Sequence, residues 1–406
     1  MKIKVGIMTA IFMGWEGGTG LLNNFNSALR LNKNIELIFL VPNDMGGIHS
    51  LDSQLEKNKI LAKYKIKKII RHTDHAKFTI SENKKLEKVK DKFTHKKEEK
   101  FVMYSNTTSG FVYACLDNNI EVVFPVCGSL GKNFPIPWVG YIWDLQHIDI
   151  PEYFKKDDID LRNSLFSKIV KDSKSIIVNA EDDKNKIIKI YGGKENIDFS
   201  PFSPAIRKDW LDLDIAKIKT KYKLKNDYFI CSNQLWMHKD HTTMFRALAD
   251  LQNKKIDVVL TGLLEDHRNP GYRMELLDLV KKLNIAGQIY WLGHIPKNDQ
   301  IALLQGSIAT IQPTLYEGGP GGGSSSDSIS VGKPVILSDI PVNKEIKDPL
   351  AIFFKAGSFK DLSNKMTQVI NRPIKPNSKK ELLRKGEQYK IVQCRKLTKI
   401  IKKAMI

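Results

Sequence analysis

Hydrophobic positions along this 406-residue chain fall into two alternating kinds of run. Short, nearly continuous apolar stretches recur at 2–8, 35–41, 120–126, 175–179, 228–232, 257–261, 288–292, 308–311 and 335–337. Runs of that length are what strands buried on both faces of a parallel sheet require. Between them lie stretches with helical spacing, at 21–29, 106–116, 180–191, 241–252, 272–283 and 300–305. Strand-helix alternation predicts parallel sheets with helices on both faces. The two prolines of SPFSPAI, Pro201 and Pro204, interrupt the alternation, which then starts again. The expectation is therefore α/β, with two doubly wound Rossmann-like domains over 1–204 and 205–372. A tail from 373 to 406 follows. Its apolar residues at 382, 383, 391, 392, 397, 400 and 401 predict a basic amphipathic helix. Only 54–100 lacks a clear period, and it is expected to hold helical insertions or a loop facing a membrane.

Charge changes the picture because it is segregated. The chain carries a net charge of +20. Residues 54–100 hold 16 Lys/Arg against 7 Asp/Glu, and residues 372–403 hold 12 against 2. The remainder, 37 against 36, is nearly neutral. Two basic segments suit a docking face for anionic lipid headgroups or for a phosphorylated lipid-linked acceptor, as an alternative to a Lys-rich solvated surface. Nucleic acid is less favoured, since aromatic residues are not interleaved with the bases. Four scattered cysteines without C-x-x-C spacing indicate neither a zinc site nor a disulfide framework, so a reducing, cytoplasmic setting is expected. The N-terminal MKIKVGIMTAIFM lacks a small-residue cleavage site and reads as a first strand. No apolar run approaches the ~18 residues of a membrane span.

Candidate chemistry concentrates in four places. The first is QPTLYEGGPGGGSSSDSISVGKPVILSD, residues 312–339. Its glycines at 318, 319, 321, 322 and 323 allow positive φ and close approach of the backbone to a ligand. A short helix is expected over 327–331. Free N–H groups at its start, with Ser324, Ser325 and Ser326 beside them, suit an anion or hydroxyls. Glu317 and Asp327 flank the loop and would accept from sugar hydroxyls. A flexible Gly/Ser linker is the alternative, but linkers rarely separate two buried strands. The second place is IPWVGYIWDLQHIDIPEYF, where Asp144, Gln146 and His147 follow the end of a strand. That is the end at which open α/β sheets bind ligands. The third is NQLWMHKDH, in which Lys239 precedes a helix N-terminus and suits a diphosphate. His238 and His241 have no third ligand partner, so no metal is expected. The fourth is GWEGGTG at 14–20, read as a glycine loop; its spacing is not G-x-G-x-x-G.

Taken together, the Glu317 loop, the D-x-Q-H…P-x-x-F segment and Lys239 resemble the motifs of family 4 (group 1) retaining glycosyltransferases of the GT-B fold. The likeness covers nearly the whole chain and is weakest over 50–105. It departs at two points. The family's second acid is Glu, separated from the first by seven intervening residues, whereas Asp327 lies two residues further on. The family's Arg six residues before the Lys is Asn233 here.

The resemblance implies two Rossmann-like domains facing each other across a cleft, with the tail helix bracing the first. It implies a nucleotide-diphospho sugar as donor, no cofactor, and a lipid-linked or oligosaccharide acceptor at a membrane's inner face. By residue, it places Lys239 and Asn233 on the diphosphate, with backbone groups of Gly321, Gly322, Gly323, Ser324 and Ser325 beside them. Gly17 and Gly18 would lie over the phosphates, and Gly293 and Ile295 by the base. Glu317 would hold the sugar ring, and Asp327 the ribose or a second contact. His147 would face the acceptor, with Asp144 and Gln146 on the same side. The implied product is a lipopolysaccharide, O-antigen or capsule precursor. Rival readings are another GT-B enzyme such as an inverting transferase or epimerase, a basic nucleic-acid binder, and a non-catalytic carbohydrate-binding relative.

Overall fold

The computed structural model describes residues 2–14, 16–43, 48, 50–70, 80–93, 99–374 and 377–406. The chain divides into two compact units: Met1–Leu145, Lys155–Ser200 and Lys390–Ile406 form the first, and Gln146–Phe154 with Pro201–Tyr389 the second.

In the first unit the chain runs through β1 (Ile3–Met8), α1 (Glu16–Leu29), β2 (Ile35–Pro42), α2 (Gln54–Ile70), α3 (Ile80–Phe93), β3 (Lys100–Tyr104), α4 (Thr108–Asp117), β4 (Val122–Val126) and β5 (Trp138–Tyr141). A single turn of helix, α5 (Gln146–Asp149), belongs to the second unit. The first unit resumes with α6 (Lys156–Asp172), β6 (Ser175–Val178), α7 (Glu181–Tyr191) and β7 (Ile197–Phe199). The strands form a parallel sheet in the order β3-β2-β1-β4-β5-β6-β7. Leu21, Leu22, Phe25, Ala28 and Leu29 of α1 are all buried, at helical spacing.

Two expectations change here. The 14–20 stretch is not a glycine loop. Residues 16–20, with Gly17 and Gly18, are the first turns of α1, and Thr19 is buried, its hydroxyl donating to the Phe12 carbonyl at 2.8 Å. Glycine is tolerated near a helix start, and the apolar face that follows draws the helix back through it. The 54–100 region holds two helices, and its last residue, Lys100, begins a strand, β3, that the lysine-rich stretch before it concealed. Residues 71–79 and 94–98 of that region, and Trp15, lie outside the described residues.

The second unit continues with α8 (Ile215–Lys221), β8 (Asp227–Ser232), α9 (His241–Asp250), β9 (Ile256–Thr261), α10 (Tyr272–Lys282), β10 (Ile289–Gly293), α11 (Lys297–Gly306), β11 (Thr310–Gln312), α12 (Gly322–Ser330), β12 (Val335–Ser338), β13 (Ala351–Phe354) and α13 (Phe359–Asn371). Its sheet is parallel, in the order β10-β9-β8-β11-β12-β13. Strand order therefore reverses between β8 and β11, the point at which such sheets open a crevice beyond their carboxyl ends.

The last helix, α14 (Lys379–Met405), is shared. Leu382 of its first half packs among Ile206, Leu224 and Val331 in the second unit. In its second half Leu397, Ile401 and Ala404 are fully buried in the first unit. Among the described residues no helix is long and apolar enough to cross a membrane. Leu397→Ala, a cavity under an anchored helix, should cost ~2–5 kcal/mol, read as a lowered urea midpoint with unchanged slope; a change below about 0.5 kcal/mol would show that the helix is not held there.

Candidate functional site

The switch point of the second sheet is where the candidate residues gather. β8 ends at Ser232 and is followed by Asn233; β11 ends at Gln312. Because those strands are neighbours, the two side chains meet: Asn233 Nδ2 donates to Gln312 Oε1. The Gln312 amide in turn donates to Glu317 Oε1 and to the Gly321 carbonyl, both at 3.1 Å. Glu317 completes the chain with Lys239, whose Nζ stands 2.5 Å from Glu317 Oε1. Lys239 and Glu317 side chains are only 16% and 8% exposed. A buried ion pair of this kind is kept in register by its hydrogen-bonding neighbours, here Gln312.

Local backbone chemistry sets each member. Lys239 ends a single 3₁₀ turn, Met237–Lys239. Asp240 then takes left-handed dihedrals (φ 48°, ψ 49°) and caps α9, accepting from Thr243 N at 3.1 Å. The turn is tied to the Glu317 loop: the His238 carbonyl accepts from Leu315 N at 2.8 Å and from the Thr314 hydroxyl at 3.2 Å. Across the loop, Gly321 and Gly322 both sit at φ +65°. A Cβ on Gly322 would stand 3.1 Å from Glu317 Oε2, so glycine keeps the carboxylate's space open. Gly262, missed in the sequence, has φ +116°, and a Cβ there would lie 2.5 Å from the Asn233 carbonyl oxygen. Its N–H donates to the carbonyl of Gly293 (φ +68°) at 2.9 Å, linking the ends of β9 and β10.

α12 starts earlier than expected, at Gly322 rather than 327, so Ser324, Ser325 and Ser326 lie in its first two turns. All three serines are buried, and their hydroxyls have no hydrogen-bond partner among the described residues. With the first-turn N–H groups, which have no intrahelical acceptor, they make a donor-rich, positively polarised pole beside Glu317. Asp327, in the same helix, accepts from Lys297 Nζ. Ile295 packs partly buried against the cluster that contains Trp210 and Leu304.

Gln146 and His147 fall in this unit, whereas Asp144 falls in the other. Gln146 Nε2 is 3.1 Å from His238 Nε2, and Arg268 Nη1 donates to Gln146 Oε1 at 3.2 Å. The Arg268 guanidinium lies 3.9 Å from the Trp236 ring centre and 5.1 Å from that of Phe154. His147 is buried, edge-on to Phe154. Asp144 receives Arg162 Nη1 at 2.7 Å, and that guanidinium covers Trp143. Gly17 and Gly18 lie in the first unit, on α1. Among the described residues no cluster of three His, Cys, Asp or Glu is placed to hold a metal ion.

Burial, reinforced by the charges of Lys239 and Arg268, pushes the His238 imidazole down to about 2; burial and then Lys239 push His241 down to about 3. Both ring nitrogens of His241 are without a partner among the described residues.

Residues 214–388 match the family model described as Glycosyl transferases group 1. A search of curated proteins returns no match. Among solved structures, HepE from Anabaena in complex with UDP is similar at 13% identity, over 99% of this chain and 98% of that one, with a TM-score of 0.59. Sucrose-phosphate synthase from Thermosynechococcus elongatus is similar at 11% identity, over 98% and 96%, with a TM-score of 0.60. The lipopolysaccharide outer core galactosyltransferase WaaB in its apo form is similar at 13%, over 99% of both chains, with a TM-score of 0.55. The chain is thus an α/β protein of two parallel-sheet, Rossmann-like domains with the GT-B fold. The match to the group 1 glycosyltransferase model spans residues 214–388, and Asn233, Lys239, Gln312, Glu317 and Asp327 all lie inside the matched stretch.

The two buried histidines predict a pH dependence. Their folded values lie below the ordinary value of about 6.5. Between about 3 and 6.5 the unfolded chain binds protons that the folded chain does not. Stability is therefore complete above about pH 6.5 and falls as pH drops, by up to roughly 1.4 kcal/mol per pH unit for each histidine. Urea unfolding at pH 7 and pH 5 checks this, and His241→Leu should flatten the dependence; a pH-independent midpoint would refute it.

Proposed function

We propose that this protein transfers a hexose from a nucleotide-diphospho sugar to a hydroxyl of a cell-surface glycan precursor, with retention at the anomeric carbon. The observation that carries the reading is the Lys239–Glu317 pair, held at the switch point beside the donor-rich start of α12. A diphosphate needs a cation and convergent N–H donors, and a sugar ring needs a fixed acceptor for its hydroxyls. The second unit brings both together within one hydrogen-bonded chain.

When a donor binds, Lys239 would turn from Glu317 to the diphosphate. Glu317, still held by Gln312, would then accept from a ring hydroxyl. Transfer breaks the bond between the anomeric carbon and the diphosphate oxygen and forms one from that carbon to the acceptor oxygen. The acceptor's proton leaves with the departing phosphate. Negative charge builds on the diphosphate as the bond breaks, and Lys239, the α12 N–H groups and the serine hydroxyls would stabilise it. No step requires a metal or another cofactor. Asn233, uncharged and bonded to Gln312, would position the network rather than neutralise phosphate. His147 and Gln146 would serve the acceptor side, Asp327 the ribose, and Gly293 and Ile295 the base.

The HepE complexes with UDP and with UDP and glucose support a uridine donor in a fold of this kind, and WaaB supports a lipopolysaccharide-type acceptor. The proposed nucleotide-sugar donor fits a reaction in the cytoplasm, and the proposed lipid-linked acceptor fits one at the inner face of the membrane.

Removing one charge-stabilising donor typically costs ~10²–10³ in rate. Lys239→Ala and Glu317→Ala should each lose that much turnover with the melting midpoint nearly kept, measured with a panel of nucleotide sugars. Near-normal turnover in either folded variant contradicts the proposal. NMR of the product's anomeric proton tests retention directly: a product of inverted configuration rejects that part alone.

A further inference from the structure

Residues 390–406 of α14 carry two faces of different kinds. The inner face is fixed. Leu397 and Ala404 are fully buried, Gln393 Nε2 donates to Asn24 Oδ1 at 2.8 Å, Asn32 Nδ2 to Thr398 Oγ1 at 3.1 Å, and Ser175 Oγ to the Ile400 carbonyl at 3.0 Å. Lys403 pairs with Asp198 at 3.1 Å, and Lys396 covers the Phe199 ring at 4.2 Å. These contacts set the roll of the helix, and so decide which side chains point outward.

The outward set is Val392, Arg395, Lys399 and Lys402, all exposed and spaced i, i+3, i+7, i+10, a straight stripe on a helix. None of the three cations has a carboxylate partner among the described residues. Aliphatic side chains accompany them: Val392 is 54% exposed and Ile391 38%, and Leu31, next to Asn32 in the chain, 43%. A shallow groove of about 610 Å³ runs along the stripe, lined by Asn32, Arg395, Thr398, Lys399, Lys402 and Lys403.

We propose that this stripe docks on an anionic phospholipid bilayer surface. Like charges lined up without counter-charges favour a polyanionic partner. The choice between anions rests on the neighbours. Aliphatic residues beside the cations can enter the headgroup boundary while lysine and arginine stems reach the phosphates. Single-stranded nucleic acid would instead need aromatic platforms, and residues 390–406 contain no Phe, Tyr or Trp. The inference does not depend on the sugar-transfer reading, because every residue in it lies in the first unit and away from Lys239 and Glu317 in sequence.

The test is co-sedimentation of the full chain with vesicles of phosphatidylcholine alone or with about one-third phosphatidylglycerol. Binding should require the anionic lipid and disappear near ~0.5 M salt. The variant Arg395→Gln/Lys399→Gln/Lys402→Gln should bind roughly 100-fold more weakly. Val392→Ser should weaken binding severalfold at unchanged charge, and all variants should keep the parental melting midpoint. A control, Lys217→Gln/Lys255→Gln/Lys282→Gln, removes three exposed lysines of the second unit and should leave binding unchanged. The proposal fails if the parent does not distinguish the two vesicles, or if the control loses as much as the stripe variant. It also fails if a short single-stranded RNA binds the parent more tightly than the anionic vesicles and shows the same loss in the stripe variant.

Discussion

The adjacency of β8 and β11 is the constraint on which the second unit's chemistry depends. A parallel sheet wound outward in both directions must start its second half beside its first strand, and the loops after those two strands then diverge to opposite faces. Here that geometry brings Asn233 and Gln312, 79 residues apart, to hydrogen-bonding distance. Everything else in the site is built outward from that bond. Gln312 holds Glu317, Glu317 holds Lys239, and Lys239 stands at the entrance to α9. The network is continuous, with Gln312 and Glu317 buried and Asn233 and Lys239 partly so, and its members are therefore costly to move singly and act as one unit.

Glycines in this arrangement serve the same end. Gly262 lets β9's exit pass against the Asn233 backbone, and Gly322 leaves the Glu317 carboxylate uncovered. Both are places where the main chain must come closer than a Cβ would permit. The serines that follow are a different device. Their hydroxyls are buried but unbonded among the described residues, an arrangement that costs stability unless a ligand supplies the missing partners. Neutral His238 fits the same logic: burial, and then the neighbouring charges of Lys239 and Arg268, keep it uncharged.

Much of this was legible in the sequence, and the failures have physical causes. Buried parallel strands announce themselves as apolar runs, so both Rossmann-like halves could be read from pattern. Lys239, Glu317 and the glycine run stood out because each breaks the apolar pattern at a strand end. Gln312 did not, because a single amide at the end of a three-residue strand carries no local signal; only the pairing of β11 with β8 shows its purpose. The helical start at Glu16–Gly20 was masked by glycines that ordinarily mark loops, and β3 by its basic flank. The grouping of Gln146–Phe154 with the second unit depends on long-range contacts, among them Gln146 to His238 and Arg268 to Phe154, which no local window contains.

A structure of the protein with a bound nucleotide-diphospho sugar tests the central claim most directly. The proposed chemistry predicts the diphosphate between Lys239 and the first turn of α12, with the Lys239–Glu317 pair opened and a ring hydroxyl donating to Glu317. A nucleotide bound elsewhere, or bound there with that pair still closed, would contradict it.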